Sequence, residues 1–184
     1  GLAVDLGLLF FFKYLNFFVE NICAVIGFKA PTIDVALPLG ISFYTFQIMS
    51  YIIDVYRKKY PAGRNLIEVA AYISMFPQLI AGPIVTFDEV QPRLRERKIS
   101  PANIENGLLL FVVGLVYKVM LANQIAALWN DVMVAGVMGI NTATAWLGAW
   151  GYSMQIYFDF LGYSLMAIGM GYMLGFRFPK NFSN

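Results

Sequence analysis

Histidine is absent from all 184 residues of the chain, and cysteine occurs once, as Cys23. Without histidine, these residues cannot complete a Ser-His or Cys-His nucleophilic mechanism by themselves. A single cysteine excludes a disulfide framework within the chain and a Cys-rich metal site, so we predict no bound metal. The phosphate-binding GxxxxGK loop, the GxSxG elbow and the HExxH zinc motif are also missing.

Charge is scarce as well. Charged residues make up 13% of the chain, against 59% apolar and 16% aromatic residues, and the mean hydropathy is +0.65. This composition lies outside the range of soluble globular domains. The net charge of +2 is too small and too dispersed to predict a nucleic-acid partner. We therefore predict an all-α integral membrane protein, a polytopic helical bundle surrounded by lipid.

Four apolar segments approach or exceed the roughly 20 residues that a helix needs to cross about 30 Å of hydrocarbon. The predicted spans are residues 2–28, 35–56, 108–129 and 142–174. The chain starts at Gly1 directly before the first of them and stops at Asn184, so we expect it to be part of a larger protein.

A fifth apolar segment, residues 66–85, contains Pro77, Gly82 and Pro83, which argue against a straight spanning helix. Basic loops precede and follow this segment, and both favour the cytoplasmic side. A re-entrant segment satisfies both loops and predicts four crossings with the first residue inside. Broken backbone at that depth requires cover from protein or a water-filled cavity.

Several polar side chains fall within the predicted spans, where an ionised group costs about 2.5–3.5 kcal/mol on insertion scales. Lys118 and Asp159 lie about halfway along consecutive spans, so antiparallel packing would allow a structural ion pair. Lys13 and Glu20 are two turns apart, and we interpret them as structural residues paired through Asn16, water or a neighbouring helix.

The last span carries a polar stripe, because Tyr152, Gln155, Asp159 and Tyr163 are spaced 3, 4 and 4 residues apart. The stripe admits three interpretations: an ion pair with Lys118, the lining of a substrate tunnel, or an ion path. Glycines along the same segment predict close helix packing; they are Gly148, Gly151, Gly162, Gly169, Gly171 and Gly175.

Three stretches together carry a more specific signal. They read LPLGISFYTFQIMSYIIDVYR at residues 37–57, MFPQLIAGPIVTFDEVQPRL at 75–94 and QIYFDFLGYSLMAIGMGYMLGFRFPKNF at 155–182. In residue identity, order and spacing these stretches resemble the membrane-bound O-acyltransferase superfamily. Within the superfamily, they resemble the alginate O-acetyltransferase branch more than the D-alanyl-lipoteichoic acid transfer proteins. The resemblance extends over almost the whole chain.

The resemblance implies a ring of tilted helices around a funnel in the bacterial inner membrane. It implies acetyl transfer from a cytosolic donor, by default acetyl-CoA and not a tightly bound cofactor, toward an exported polysaccharide with an SGNH-like partner protein outside. It also implies a downstream histidine as general base, because a neutral imidazole can accept the hydroxyl proton in a site that excludes water. A carboxylate is a weaker base than an imidazole, so we assign Asp159 to the architecture of the helix bundle.

The chain departs from the family pattern SGYSDMA in two places, with Leu161 at the serine position and Leu165 at the acidic position. This departure removes one hydroxyl and one carboxylate from the motif helix, so we expect the substrate contacts to differ from the family at these positions and the fold to be retained. The residues expected to line the tunnel are Tyr44, Gln47, Gln78, Tyr152, Gln155, Asp159 and Tyr163.

Two other functions stay open on the sequence alone. Polar stripes and Pro/Gly-broken helices are equally expected in a transporter or channel, although no convincing internal repeat is present. A non-catalytic scaffold paralogue would also lack the histidine.

Overall fold

The computed structural model describes residues 1–29, 31, 36–38, 40–63, 65–79, 82–83, 85–136 and 139–182, without the side chains of Gln78 and Leu79. Within these ranges the ordered elements are all helical. We label them α1 (Leu2–Ile26), α2 (Ile41–Tyr56), α3 (Leu66–Ser74), α4 (Phe76–Leu79), α5 (Phe87–Arg95), α6 (Pro101–Ala135) and α7 (Thr142–Met173). Two of the helices, α1 and α6, each contain a π-helical stretch, at Phe10–Tyr14 and Tyr117–Ala122.

Side-chain caps define where three of the helices begin. The Oγ of Ser100 accepts a hydrogen bond from the Asn103 N–H (3.2 Å) just before Pro101, the favoured first residue of a helix. The Asn141 side chain accepts from the Thr144 N–H (2.8 Å) at the start of α7, and Asn65 caps α3 in the same way. Because these caps satisfy otherwise free N–H groups, they stabilise the helix ends.

Two described helices, α1 and α6, are long and apolar enough to cross a membrane by length and composition. The first ends two residues before the predicted boundary at 28, and α6 extends the predicted 108–129 segment at both ends. The 32-residue α7 matches the predicted 142–174 segment to within one residue. In the predicted 35–56 span, α2 supplies 16 residues, and positions 35 and 39 lie outside the described residues.

The segment predicted to be re-entrant is broken, as its prolines suggest. Helix α3 ends at Ser74, and Met75 is extended (φ −64°, ψ 108°) before the short helix α4 begins. Pro77 accounts for the break, because its ring would collide with the carbonyl four residues earlier in a continued helix. Pro77, Gly82 and Pro83 are all buried. Whether the segment re-enters the membrane stays a prediction.

The chain forms two compact units. The first contains Gly1–Ile80 with Thr86–Gln91, and the second contains Ala81–Val85 with Pro92–Asn184. The sequence-based interpretation of the whole chain as part of a single transmembrane domain stays a prediction.

The first unit is centred on Tyr72 and Phe87, whose side chains are fully buried. The Phe87 ring lies 5.4 Å from that of Tyr72 and 5.0 Å from that of Tyr51. The Tyr51 hydroxyl accepts a hydrogen bond from the Gly63 N–H (2.9 Å), and the Gln47 amide donates to the Tyr72 carbonyl (3.1 Å). These contacts tie α2 to α3 and to the loop between them.

The second unit is built on the antiparallel hairpin of α6 and α7. Two glycine pairs bring the helices together: a Cβ atom on Gly107 would stand 2.6 Å from the Gly169 carbonyl oxygen, and one on Gly114 would stand 2.6 Å from that of Gly162. The reverse distances are 2.5 and 2.8 Å. No side chain larger than hydrogen fits such an approach, so the glycines set the separation of the helices.

The segment after α7 folds back along the helix. Gly175 adopts a left-handed conformation (φ 81°), and the Phe176 N–H donates to the Gly171 carbonyl (2.8 Å). Phe178 is buried, and farther on the Phe182 ring lies 5.5 Å from the rings of both Tyr157 and Phe160. The return segment thus reaches the middle of α7.

Candidate functional site

The candidate site lies at the middle of the α6–α7 hairpin. The ammonium group of Lys118 is in direct contact with the carboxylate of Asp159. The Lys118 side chain is 26% exposed and that of Asp159 is 35% exposed, so the pair is partly covered. Lys118 follows Gly114 by one turn, and Asp159 precedes Gly162 by nearly one turn, so both charges lie beside a close glycine contact. The structure thus joins the two residues that the sequence placed at similar depth.

Tyr163 completes this group, because the Lys118 ammonium lies 5.1 Å from the centre of its ring. The face of an aromatic ring attracts a cation electrostatically. A single lysine thus connects two members of the predicted polar stripe, Asp159 and Tyr163. Both the Asp159 carboxylate and the Tyr163 ring therefore interact with its positive charge.

The other two stripe residues have different surroundings. The Tyr152 ring packs 4.7 Å from that of Trp129, two turns from Asp159. The Gln155 side-chain oxygen is buried and accepts no hydrogen bond within the described part of the chain. An unpaired buried carbonyl is costly, which makes Gln155 a candidate contact for a polar group from outside these residues.

Lys118 lies within the π-helical stretch of α6, Tyr117–Ala122. Such stretches are rare and often occur at functional sites. The neighbouring Tyr117 ring stacks on Phe158, with 5.9 Å between centroids and 9° between planes. The wider turn therefore presents two adjacent side chains to the facing helix, one aromatic and one charged.

A cavity of about 440 Å³ also lies in the second unit. Its walls come from α6, from α7 and from the return segment; the lining residues are Leu110, Val113, Tyr117, Leu161, Ser164, Leu165, Ile168, Lys180, Asn181 and Phe182. Both positions that depart from the family pattern, Leu161 and Leu165, face this space. Side chains with polar groups in this lining are Tyr117, Ser164, which is buried, Lys180 and Asn181.

Lys13 and Glu20, predicted as structural ion-pair residues, do not form a salt bridge with each other. The Lys13 ammonium donates a hydrogen bond to the Ser42 hydroxyl of α2 (2.9 Å) and lies 5.7 Å from the ring of Tyr14. Among the described residues Glu20 has no ion-pair partner and is exposed. Two helical turns separate the residues by about 10 Å, and the neighbouring helix supplies a nearer partner for the lysine.

The remaining predicted tunnel residues belong to the first unit. Gln47 is engaged with the Tyr72 carbonyl, and Tyr44 is half-buried on the same helix. Gln78 falls within α4, and its side chain lies outside the described part of the structure. The tunnel that these residues are expected to line with the α7 stripe stays a prediction.

Comparison with known proteins decides the family. Residues 61–183 match the profile of MBOAT, the membrane-bound O-acyltransferase family. This match covers about two thirds of the chain and includes both helices of the candidate site. The chain belongs to the membrane-bound O-acyltransferase family. As a member of a membrane-bound family, it is a membrane protein, and its resemblance to this family in sequence is confirmed.

Comparison with individual proteins shows which members of the family the chain resembles. The chain is 44% identical over its full length to a "Probable alginate O-acetylase AlgI" of Pseudomonas aeruginosa and spans 36% of that protein. It is 33% identical over its full length to a "Peptidoglycan O-acetyltransferase" of Helicobacter pylori, of which it spans 40%. A "Teichoic acid D-alanyltransferase" of Bacillus subtilis is 28% identical over 79% of the chain, which corresponds to 37% of that protein.

Sequence reasoning missed part of the site. The glycines of α7 predict helix packing, but the prediction does not extend to their partners on α6. A signal was present, because Gly107 and Gly114 are seven residues apart, as are Gly162 and Gly169. In an antiparallel pair, equal spacing allows both contacts to form at once. Lys180 and Asn181 carried no local pattern, and only the fold-back of the return segment brings them to the cavity.

Proposed function

We propose that this chain is part of an O-acetyltransferase that moves acetyl groups from a cytosolic donor across the membrane to hydroxyls of an exported polysaccharide. The observation that carries the proposal is similarity along the whole of this chain to parts of two relatives. The names of both relatives describe one chemistry, O-acetylation of a glycan polymer. The similarity to a D-alanyltransferase is lower and covers less of the chain, so we favour an acetyl over a D-alanyl donor.

In this proposal the α6–α7 hairpin forms part of the tunnel wall, and the pair of Lys118 and Asp159 holds the two helices in register. Asp159 is a positioning residue here, because its carboxylate is engaged by the lysine. The general base is a histidine supplied from outside these 184 residues, since an imidazole near neutral pKa can accept a hydroxyl proton. Acetyl-CoA is the proposed donor.

The proposed location is the bacterial inner membrane, with α1, the segment containing α2, α6 and α7 crossing it. Trp146 and Trp150 support the outer boundary of α7, because they lie near its start and are 74% and 67% exposed. Exposed tryptophans concentrate at membrane interfaces. The loop between α6 and α7 contains no basic residue, in keeping with an outer location.

A partner protein follows from the chemistry. The acceptor is a large exported polymer, and an acetyl group delivered at the outer mouth needs transfer to a specific sugar hydroxyl. We propose an SGNH-like acetyl-handling protein at the outer face for that step.

The test is polysaccharide O-acetylation in cells. A strain deleted for the full-length gene is complemented with the wild-type gene, with an Asp159→Asn variant or with Asp131→Asn. Asp131 is exposed near the end of α6 and serves as the matched control. Ester-linked acetate on the exported polysaccharide is measured alongside the amount of protein in the membrane.

We expect acetate to be lost in the deletion strain, restored by Asp131→Asn and lowered about tenfold by Asp159→Asn, equivalent to about 1.4 kcal/mol of barrier. Unchanged acetate in the deletion strain would refute the proposal. A loss of exported polymer without a change in its acetyl content would indicate a transporter. Full acetylation by a gene whose downstream histidines are all replaced would indicate a scaffold.

A further inference from the structure

A second cavity, of about 210 Å³, lies at the end of the hairpin opposite the loop between α6 and α7. Its lining combines the basic stretch before α6, the first turn of α6, the last turn of α7 and the segment that follows α7. The polar lining residues are Arg93, Glu96, Lys98, Asn103, Tyr172 and Arg177. Three cations and one anion face the same space, so the cavity carries an excess of two positive charges.

Arg93 contributes a buried donor atom, Nη1, that has no hydrogen-bond partner among the described residues. A buried charged donor without an acceptor costs more than a neutral one, and surrounding charged groups normally supply the missing partner. The nearest supply in this cavity is a single carboxylate, Glu96, against three cationic side chains. This excess of positive charge favours the binding of an anion.

The cavity walls are fixed by contacts that do not use the charged ends of Arg93, Lys98 and Arg177. The Asn103 side-chain amide donates to the Lys98 carbonyl (3.3 Å), which holds the basic stretch against the start of α6. The Arg97 guanidinium lies 5.5 Å from the centre of the Phe176 ring. A Cβ atom on Gly175 would stand 3.3 Å from the Lys98 carbonyl oxygen, so the turn after α7 packs directly on the same stretch. The cationic side chains are thus held around a formed space.

The side chains match phosphate in charge and in geometry. A phosphate monoester carries about −1.5 to −2 charges at neutral pH, close to the net charge of the lining. Arginine presents a planar fork that binds two phosphate oxygens, and lysine adds a point charge. The Tyr172 hydroxyl can donate a further hydrogen bond. The amino-terminal end of α6, where Asn103 lies, adds positive potential from the helix dipole.

We propose that this cavity binds a phosphate group of a ligand that approaches from the cytosolic side. Two sources carry phosphate: the nucleotide part of a soluble acyl donor, which in coenzyme A includes a phosphate monoester, and the headgroup of an anionic phospholipid, which in phosphatidylglycerol is a phosphodiester with one negative charge. If the proposed acetyl transfer holds, the donor is the favoured source. Lys118 is 15 residues along α6 from Asn103, so the site would lie about 22 Å from the Lys118–Asp159 pair along the helix.

The test measures binding to the full-length protein, purified in a maltoside detergent that contains no phosphate. Coenzyme A is titrated in one arm and short-chain phosphatidylglycerol in the other, each by calorimetry. Four variants are compared: Arg93→Gln, Arg177→Gln, Glu96→Gln and Arg57→Gln. Arg57 belongs to the other basic loop and lies outside the cavity, which makes Arg57→Gln the matched control.

We expect Arg93→Gln and Arg177→Gln to weaken binding about tenfold each, and Arg57→Gln to leave it unchanged. Glu96→Gln should tighten binding, because it removes the one negative charge of the lining; damage to the fold would not tighten it. Weakening of coenzyme A binding alone assigns the site to the donor, and weakening of phosphatidylglycerol binding alone assigns it to lipid. Binding of neither ligand, or equal loss in Arg57→Gln, overturns the proposal.

Failure of this proposal is distinguishable from failure of the proposed function. Ester-linked acetate on the exported polysaccharide is measured in cells that carry Arg93→Gln and Arg177→Gln. Absence of binding of either ligand to the wild-type protein, together with normal acetate in these variant cells, refutes the phosphate site and leaves acetyl transfer intact. Normal acetate in the gene deletion refutes acetyl transfer, whatever the calorimetry shows.

Discussion

A Cβ atom on Gly162 would stand only 3.0 Å from the backbone nitrogen of Lys118. The closest approach of α6 and α7 and the charged pair are therefore one structural feature. The glycines permit the approach, and the approach brings the Lys118 side chain within reach of Asp159 on the facing helix. Any change that separates the helices at Gly162 should also disturb the ion pair.

Gly162→Ala should destabilise the protein by about 1–3 kcal/mol, because the added methyl group would meet the Gly114 carbonyl oxygen at 2.8 Å and backbone atoms cannot turn aside. The measurement is thermal unfolding of the full-length protein in detergent. Gly7→Ala is the control, since no atom lies within 4 Å of its Cβ position within α1. That variant should be neutral or stabilising by up to about 1 kcal/mol. Equal destabilisation by both variants would contradict the packing role.

Removing one member of the ion pair should cost more than removing both. Lys118→Met or Asp159→Asn alone should lower the free energy of unfolding by roughly 1–2 kcal/mol, less than a fully buried pair would lose, because both side chains are partly exposed. The double variant should recover part of this loss, since no charge is then left without its partner. A double-mutant cycle on unfolding in detergent measures the coupling, and strictly additive losses would show that the contact contributes nothing.

The contact between Lys118 and Asp159 also shows how far sequence reasoning reaches. Hydropathy locates α7 to within one residue at its end, because a long apolar helix follows directly from composition. Depth along two consecutive helices predicts which charges can meet. The start of α6 was predicted seven residues late, at 108, because its first turns are polar, although Ser100 and Pro101 carried the capping signal.

Other parts of the site depend on tertiary structure that no local pattern specifies. The cavity around Arg93 joins residues from a stretch predicted only as a basic loop with residues more than 70 positions away, such as Tyr172 and Arg177. The turn at Gly175 brings them together. The sequence shows that a glycine is present at position 175, but it does not predict the direction in which the chain continues after the turn.

Alkaline pH should destabilise the first unit through Tyr60. Burial raises the pKa of its phenol well above the ordinary value of 10.0, and the negative charge of Asp54 raises it further. In the unfolded chain the phenol ionises near pH 10, whereas in the folded protein it stays neutral. The stability that depends on the neutral phenol is therefore complete below about pH 10 and decreases as pH rises toward the folded-state pKa.

Replacing Tyr60 tests this expectation. Tyr60→Phe should flatten the loss of thermal stability between pH 9 and pH 11, expressed as the shift of the melting temperature of the full-length protein. Tyr56→Phe is the control, because the Tyr56 ring is 85% exposed and should leave the pH dependence as it is in wild type. A pH profile unchanged by Tyr60→Phe would assign the alkaline loss to other groups.

Cysteine labelling tests the predicted topology. In a background in which Cys23 is replaced by alanine, Asp131→Cys should react with a membrane-impermeant maleimide in intact cells or spheroplasts. Arg97→Cys should react only after the membrane is opened, because its basic surroundings favour the cytosolic side. Both positions are exposed, so the contrast reports the side of the membrane and not burial. Labelling of position 97 from outside would overturn the re-entrant assignment of residues 66–85.

The π-helical stretches of α1 and α6 change the helix face on which the residues beyond them lie, compared with an uninterrupted α-helix of the same sequence. Each stretch accommodates about one residue more than an α-helical turn, and each contains a lysine, Lys13 in α1 and Lys118 in α6. Deleting a single residue from Tyr117–Ala122 would remove this extra residue and let the helix revert to regular winding, with the faces beyond the stretch largely unchanged. Deleting a residue from a regular turn of α6 would instead rotate everything beyond it by about 100°, and Trp129 and Val132 would turn away from their partners. The π-helical stretch is therefore a place where one residue can be lost from α6 without re-aiming the second half of the helix.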